Sequence, residues 1–399
     1  MTSLNQRVRF PISTAELERR WAAARTAMAA RGVDALIVQG ANNLLGGGSY
    51  LRWFTGTSLF SSQPQTVLFP RDGLMTAISH GPRGHIAELG GNHPEAPGIG
   101  RRVSSHSFPS VGYTGRYDAE LLVREVAGNG WRRVALVGSN NMYYGPISQA
   151  VAALTNVELV DMTDEIDQIT AIKSPEEIGY IRQAAAAQDK VFELVRAYVK
   201  PGMRDYEVMT YAQYHGQLMG CETGYYLGCS APPGQPGGHR TLPQQGRQIQ
   251  KGDIMLWQAE TSGPGGFFVH IARIFVFGKT PPELARIYQI LVDAQEFTRN
   301  LLKPGAVASE AFAAYNSYMR SRGLPEELRL HCHGQGYANV ERPLIRHDET
   351  MRIAGNMNIG IHPSFASNEM FITLSDNFLI HASGEAERLH KSPNPIIEL

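Results

Sequence analysis

The chain has few of the features that would direct it to a membrane, a nucleic acid or an oxidising compartment. Its 399 residues include three cysteines, Cys221, Cys229 and Cys332, and no CxxC pair. An odd and scattered set argues against a disulfide framework. Neither sign of charge is in excess, with 37 Lys plus Arg facing 37 Asp plus Glu. Without a basic field, nucleic acid and anionic membrane are not expected as partners. No apolar run reaches the length of a membrane span, and the opening MTSLNQRVRF lacks the apolar core of a secretory signal. A soluble cytoplasmic protein acting on a small molecule is the expectation.

What the chain does have is a large core, many turns and many histidines. Hydrophobic residues make up 43%, enough for two domains or one large one, and 41 Gly with 23 Pro imply tight connections. The 13 histidines include a group in the C-terminal half, beside glycines and expected strands.

Organisation follows from periodicity and punctuation. STAELERRWAAARTAMAAR opens on an N-cap signature and continues as a helix. Short apolar runs, DALIVQG, TVLFP, LMTAIS and RRVALVGS, read as strands, with YDAELLVREVAGNG and PISQAVAALTN as helices between them. This predicts an α/β domain over residues 1–165 and a second domain over 166–399. The second opens with a long helix from Ser174 to Tyr198, with Ser at the cap, Pro in the first turn and acidic residues beside the positive end of the dipole. After YEVMTYAQYHGQLMG comes a Gly/Pro-rich loop, then strands at DIMLWQAE and FFVHIARIFVFG. Helices at PPELARIYQILVDAQEFTRNLL and ASEAFAAYNSYMRSRG precede a final group of strands. Strands in runs rather than alternation predict an α+β architecture. The GGGSY and GQPGG runs lack the context of a phosphate-binding turn and read as loops.

One strand is unusual. GGFFVHIARIFVFG is apolar along most of its length but carries His270 and Arg273 in its middle. Taken in order, ITAIKSPEEIGYIRQAAAAQDKVFE, VKPGMRDYEV, KGDIMLWQAE, HIARIFVFG, LLKPGAVASEAF, HCHGQG, NIGIHPSF and LSDNFLIHASGEAERL resemble the creatinase, prolidase and aminopeptidase P family. The resemblance spans nearly the whole chain. It implies a creatinase-like α/β N-terminal domain followed by an α+β pita-bread catalytic domain, and a homodimer as in the creatinase branch.

The resemblance also implies a replaced site. Peptidase members hold two metal ions on two aspartates, a histidine and two glutamates. The first aspartate falls at or near Gln258, the second on His270, because HIARIF stands where DITRTF is usual. The family histidine is His333, the first glutamate becomes His362, and the last becomes Ser375. Two adjacent cations need carboxylates to offset and bridge them, and the matched positions offer none. A dinuclear peptidase is therefore not expected. His270, His333 and His362 are instead the donor set of a mononuclear catalytic site for Fe, Zn or Mn. The plain alternative is a set of polar fillers that hydrogen-bond to one another in a vacated site.

A metal-free route stays open beside it. Creatinase and ectoine hydrolase, which the chain resembles, work without metal and carry a catalytic histidine in a loop before the GD strand, where PGGHRTLP places His239. An imidazole with a pKa near 6.5 suits proton transfer at neutral pH. The creatinase glutamate would fall at Ala272 and is absent. Glu260, Glu341 and Glu369 are the substitute catalytic carboxylates, each equally readable as an ion-paired or rim charge. Glu260 is displaced by one or two residues from the ectoine-hydrolase position, which leaves open which face of its strand it takes. Arg240 and Arg342 are candidate carboxylate clamps. Gln258, Ser375 and Tyr337 are candidate substrate contacts, with Trp257, Tyr225, Tyr226 and Phe268 as a possible aromatic wall. Cys332 reads as a buried structural thiol rather than a nucleophile, and Arg273 as a structural ion-pair member.

These readings favour a non-peptidase hydrolase of a C–N bond in an amide, amidine or cyclic amidine. A lyase, since a dimethylsulfoniopropionate lyase also resembles this fold, a three-histidine iron enzyme and a catalytically dead binding protein remain as alternatives.

Overall fold

The structure, a computed structural model, describes residues 8–40, 48–57 and 63–399. The opening residues 1–7 lie outside them, as do Gly46 and Gly47 of the GGGSY run. The end of that run is not loop, because Ser49 and Tyr50 begin the helix Ser49–Thr55. The chain divides into two compact units between Thr170 and Ala171. The first unit thus takes in most of the helix Thr163–Ala171, which extends it beyond residue 165.

The first unit is a seven-stranded mixed sheet. Its strands run in the spatial order Ile86–Glu88, Ile99–Ser105, Met75–His80, Gln65–Pro70, Ala35–Gly40, Arg133–Val137 and Glu158–Asp161. Ala35–Gly40 and Gln65–Pro70 are buried at every residue, which explains why they read as unbroken apolar runs. The helix Thr14–Arg31 begins where the Ser13 hydroxyl accepts the Glu16 N–H at 3.1 Å, and ends at Gly32 in the left-handed region.

The second unit is built on two five-stranded sheets flanked by helices. One carries Gly224–Leu227, Ile254–Ser262, Phe268–Val276 and Ile397–Glu398 in that order, with Ser230–Ala231 also on Ile254–Ser262. The other runs Glu341–Leu344, Cys332–Gly334, Asn358–Ile361, Asp376–Ile380 and Ala386–Arg388. They meet where Ala272 and Ser375 exchange backbone hydrogen bonds at 3.2 and 3.4 Å. The long helix Pro175–Tyr198 starts in a capping box in which Ser174 and Glu177 satisfy each other's backbone N–H groups.

Phe268–Val276 is buried at every residue. Its odd positions Ile271 and Phe275 pack with Phe192, Trp257 and Ala259, beneath the helices Pro175–Tyr198 and Asp205–Leu218. Its even positions Ala272, Ile274 and Val276 pack with Leu256, Leu284 and Tyr288 on the opposite side. The period of two therefore assigns His270 to the even face and Arg273 to the odd one. Each of the large apolar side chains contributes about 1.5–3 kcal/mol relative to exposure, which offsets the cost of burying the imidazole. Arg273 is held by Asp376 at 2.7 Å and by the carbonyls of Ala272, Ser375, Ser392 and Pro393, the structural role expected of it.

Candidate metal centre

Strand register brings the histidines together. His270 stands directly opposite Glu260, and Ala272 opposite Gln258, so Gln258, Glu260 and His270 share one face of the first sheet. In the second sheet His333 lies opposite Gly360, and His362 follows two residues later on the same side. Glu260 therefore faces the histidines, which resolves its orientation. The imidazole centroids of His270, His333 and His362 are 5.0–5.3 Å apart. One nitrogen of each lies within 4.8 Å of the other two. Among the described residues, no other group of three or more His, Cys, Asp or Glu side chains converges in this way.

The rings are aimed rather than merely close. His333 Nδ1 donates to the Gly334 carbonyl at 2.9 Å, which leaves the lone pair on Nε2. His270 Nε2 and His362 Nε2 are buried with no hydrogen-bond partner. His270 is seated from behind: Asn377 Oδ1 accepts its backbone N–H at 2.8 Å, and the Ser375 hydroxyl donates to its carbonyl at 3.3 Å. Its ring tip lies over Gly360, where an added Cβ would stand only 2.2 Å from His270 Nε2. Burial lowers the pKa of all three, of His333 to about 4 and of His270 and His362 well below the ordinary value. The imidazoles are thus neutral at neutral pH, the form that donates a lone pair.

This donor set fits one divalent ion. Metal–nitrogen bonds of about 2.0–2.1 Å place ligand nitrogens roughly 3–3.5 Å apart, so the three rings, whose nitrogens lie within 4.8 Å of one another, would draw together around an ion. Orphaned buried nitrogens cost free energy unless something accepts them, and an ion would. Two ions would need bridging carboxylates that this cluster does not have.

The other expected site residues divide into two groups. His239 stands on the Gly/Pro-rich loop, its ring edge-on to Phe371 at 5.0 Å and its Nε2 donating to Gln258 Oε1 at 3.0 Å. Burial lowers its pKa, against that hydrogen bond. Glu260 receives only a long contact, 3.5 Å, from Asn339 Nδ2, and burial pushes its pKa up to about 7. Arg240 is exposed on the His239 loop. Tyr337 is buried and stacks on Phe267 at 4.3 Å. The remaining residues have other work. The Ser375 hydroxyl is spent on the His270 carbonyl and sealed from any substrate. Glu341 accepts from Lys173 Nζ at 2.8 Å and from the Ala338 N–H at 2.9 Å. Arg342 is clamped by Glu349 at 2.6 and 3.1 Å. Glu369 is exposed in the turn of the hairpin Ser364–Thr373. Cys332 lies in an apolar cluster, where burial drives its pKa well up, so it is not a nucleophile.

Several contributors carried no sequence signal. Asn377 donates to Gln335 at 2.8 Å and to Asn358 at 2.9 Å while holding His270, an amide network invisible to spacing rules. Asn339 Nδ2 touches Glu260 at 3.5 Å.

Residues 179–382 match the metallopeptidase family M24. The chain is 24% identical over 265 residues to the uncharacterized peptidase YqhT of Bacillus subtilis, covering 65% of this chain and 73% of that one. Among solved structures, a prolidase from Thermococcus sibiricus superposes with a TM-score of 0.79 at 20% identity, over 97% of this chain and all of its own. The X-Pro aminopeptidase of Thermotoga maritima gives 0.77 at 16% identity, over 95% of this chain and 99% of its own. The chain belongs to metallopeptidase family M24 and has its pita-bread catalytic domain behind an α/β N-terminal unit. The family's chemistry is hydrolytic and uses metal ions, and no described helix is long and apolar enough to cross a membrane.

Proposed function

We propose that this chain is a non-peptidase member of the family, a hydrolase of a C–N bond in a small amide, amidine or cyclic amidine, working with one metal ion. The observation that carries the reading is the meeting of three neutral imidazoles, two with orphaned Nε2 atoms, without a bridging carboxylate. His270, His333 and His362 would hold the ion, which would supply Lewis acidity to polarise the carbon under attack. Glu260, on the same face and pushed by burial to a pKa of about 7, would exchange a proton with the leaving nitrogen near neutral pH. His239, fixed through Gln258, would orient the polar substrate. The homodimer belongs to the same reading, and light scattering in solution tests it.

Metal analysis of protein purified without added metal tests the core of the proposal. One equivalent per chain, with ammonia or urea release across an amide and amidine panel that chelator abolishes, is the expected result. Two equivalents, or full activity in chelator, would overturn the single-ion reading. Glu260→Gln should lower kcat on the order of a hundredfold or more with metal content unchanged.

A further inference from the structure

Strand register places one more side chain on the face of the histidines. Glu260 is paired with His270 on one side and with Tyr225 on the other, so His270, Glu260 and Tyr225 form a row across three strands. Directly opposed residues of antiparallel strands share a face, and Tyr225 therefore stands beside Glu260 on the side of His270. Its neighbour Tyr226, opposite Ala259, packs with Trp257, Ala259 and Ile271 in the core on the other side, as a period of two requires. Of the aromatic wall suggested by the sequence, Trp257 and Tyr226 are thus turned away and Phe268 is sealed in the interior. Tyr225 is left.

That tyrosine has no structural employment. It is half-buried, and among the described residues its ring stacks on no other ring and its hydroxyl makes no hydrogen bond. A tyrosine that serves the core spends both ends, as Tyr288 does by packing in an apolar cluster and donating to the Asn394 carbonyl at 2.7 Å. Tyr225 spends neither, and the Glu260 carboxyl beside it has one long contact, from Asn339 at 3.5 Å. Neighbouring strands lie about 4.8 Å apart, so the row spans roughly 10 Å from the His270 strand to the Tyr225 strand. In the hydrolase reading the C–N bond lies between the His270 end and Glu260. Whatever the nitrogen carries then extends one strand further.

We infer that Tyr225 is a substrate-binding residue whose free ring receives a flat substituent on the leaving nitrogen, so that the product is a substituted amine. The inference rests on the hydrolase reading above. A nitrogen released as ammonia would leave the ring uncovered, and a flat unsaturated group gains an offset stack that an aliphatic one lacks. The step balances with one water. Its oxygen bonds to the carbon, the C–N bond breaks with its electron pair on nitrogen, and Glu260 passes to that nitrogen the proton it takes from the water. Tyr225 holds the departing amine and takes no part in proton transfer.

Ligand-observed NMR titration of the full chain with three neutral amides tests it. Acetanilide carries its ring on nitrogen, its isomer N-methylbenzamide carries the ring on the acyl carbon, and the ring of N-cyclohexylacetamide is not flat. The native chain, Tyr225→Ala and Tyr225→Phe are each titrated zinc-loaded and in chelator, with zinc per chain counted. Acetanilide should bind the native chain on the order of fivefold to tenfold more tightly than either other amide. Tyr225→Ala should erase that preference at unchanged zinc content, and Tyr225→Phe should keep it. One zinc per chain with no acetanilide binding, with equal binding of the three amides, or with a preference that survives Tyr225→Ala overturns the inference and leaves the single-ion reading intact. A preference for N-methylbenzamide, or one lost in Tyr225→Phe, overturns it as well. A preference for acetanilide that depends on Tyr225 in a chain that takes no zinc upholds the binding role and ends the single-ion reading.

Discussion

At the scale of single residues, the site depends on an atom that is missing. Gly360 lends His270 the room its Nε2 occupies, since a Cβ there would stand 2.2 Å away. Gly360→Ala removes no ligand, yet it should push the His270 ring off the other two. Zinc per chain should fall from one toward zero while the far-ultraviolet circular dichroism spectrum stays native. Retention of zinc by that variant would mean that His270 is not a ligand. The convergence of the three histidines was legible because the resemblance assigns each to a ligand position of one metal site. The fate of Ser375 was not, since its hydroxyl turns away to the His270 carbonyl only once the two sheets meet at Ala272.

At the scale of elements, caps and apolar runs carried most of the readable signal. Ser174, Pro175 and Glu177 announced the long helix, and the structure starts it at Pro175. The strand through His270 was legible as buried, while the side that each residue takes needed the register against Ile254–Ser262. The helix Asp205–Leu218 makes a test of local electrostatics. Asp205 is fully buried at its start, with Oδ1 accepting the Ser230 N–H at 3.1 Å and Oδ2 unpartnered. Burial raises its pKa to about 6, against the Ser230 hydrogen bonds and the nearby Arg247. The native state therefore keeps this proton in a window, from about pH 4 to 6, where the unfolded chain has lost it. By linkage, stability from this group falls as pH rises through that window. Asp205→Asn should flatten the fall and raise unfolding stability at pH 7 by on the order of 2 kcal/mol, read from urea midpoints. A variant whose pH profile parallels the native one would show that Asp205 titrates normally.

For the molecule as a whole, the proposed site predicts that the two units respond differently to an added ion. All three donors belong to the unit from Ala171 onward, so binding free energy accrues to that unit. Scanning calorimetry should show a transition that moves up with zinc, by an amount equivalent to about 2.7 kcal/mol at a hundredfold excess over Kd, and back down with chelator. The transition of the first unit should stay in place. A shift of both together, or of neither, would contradict a site confined to the second unit. The broad architecture was readable because its landmarks recur in order along the whole chain. The boundary was less so, since the helix Thr163–Ala171 spans it without any change in composition.

The bare backbone under His270 also sets an order of events. With any larger side chain at position 360, an imidazole at 270 would have had no place for its tip. A side chain at position 360 and the present placement of the His270 ring therefore exclude each other. A laboratory attempt to rebuild this centre in a relative would therefore begin by clearing the neighbouring strand and change the ligand second.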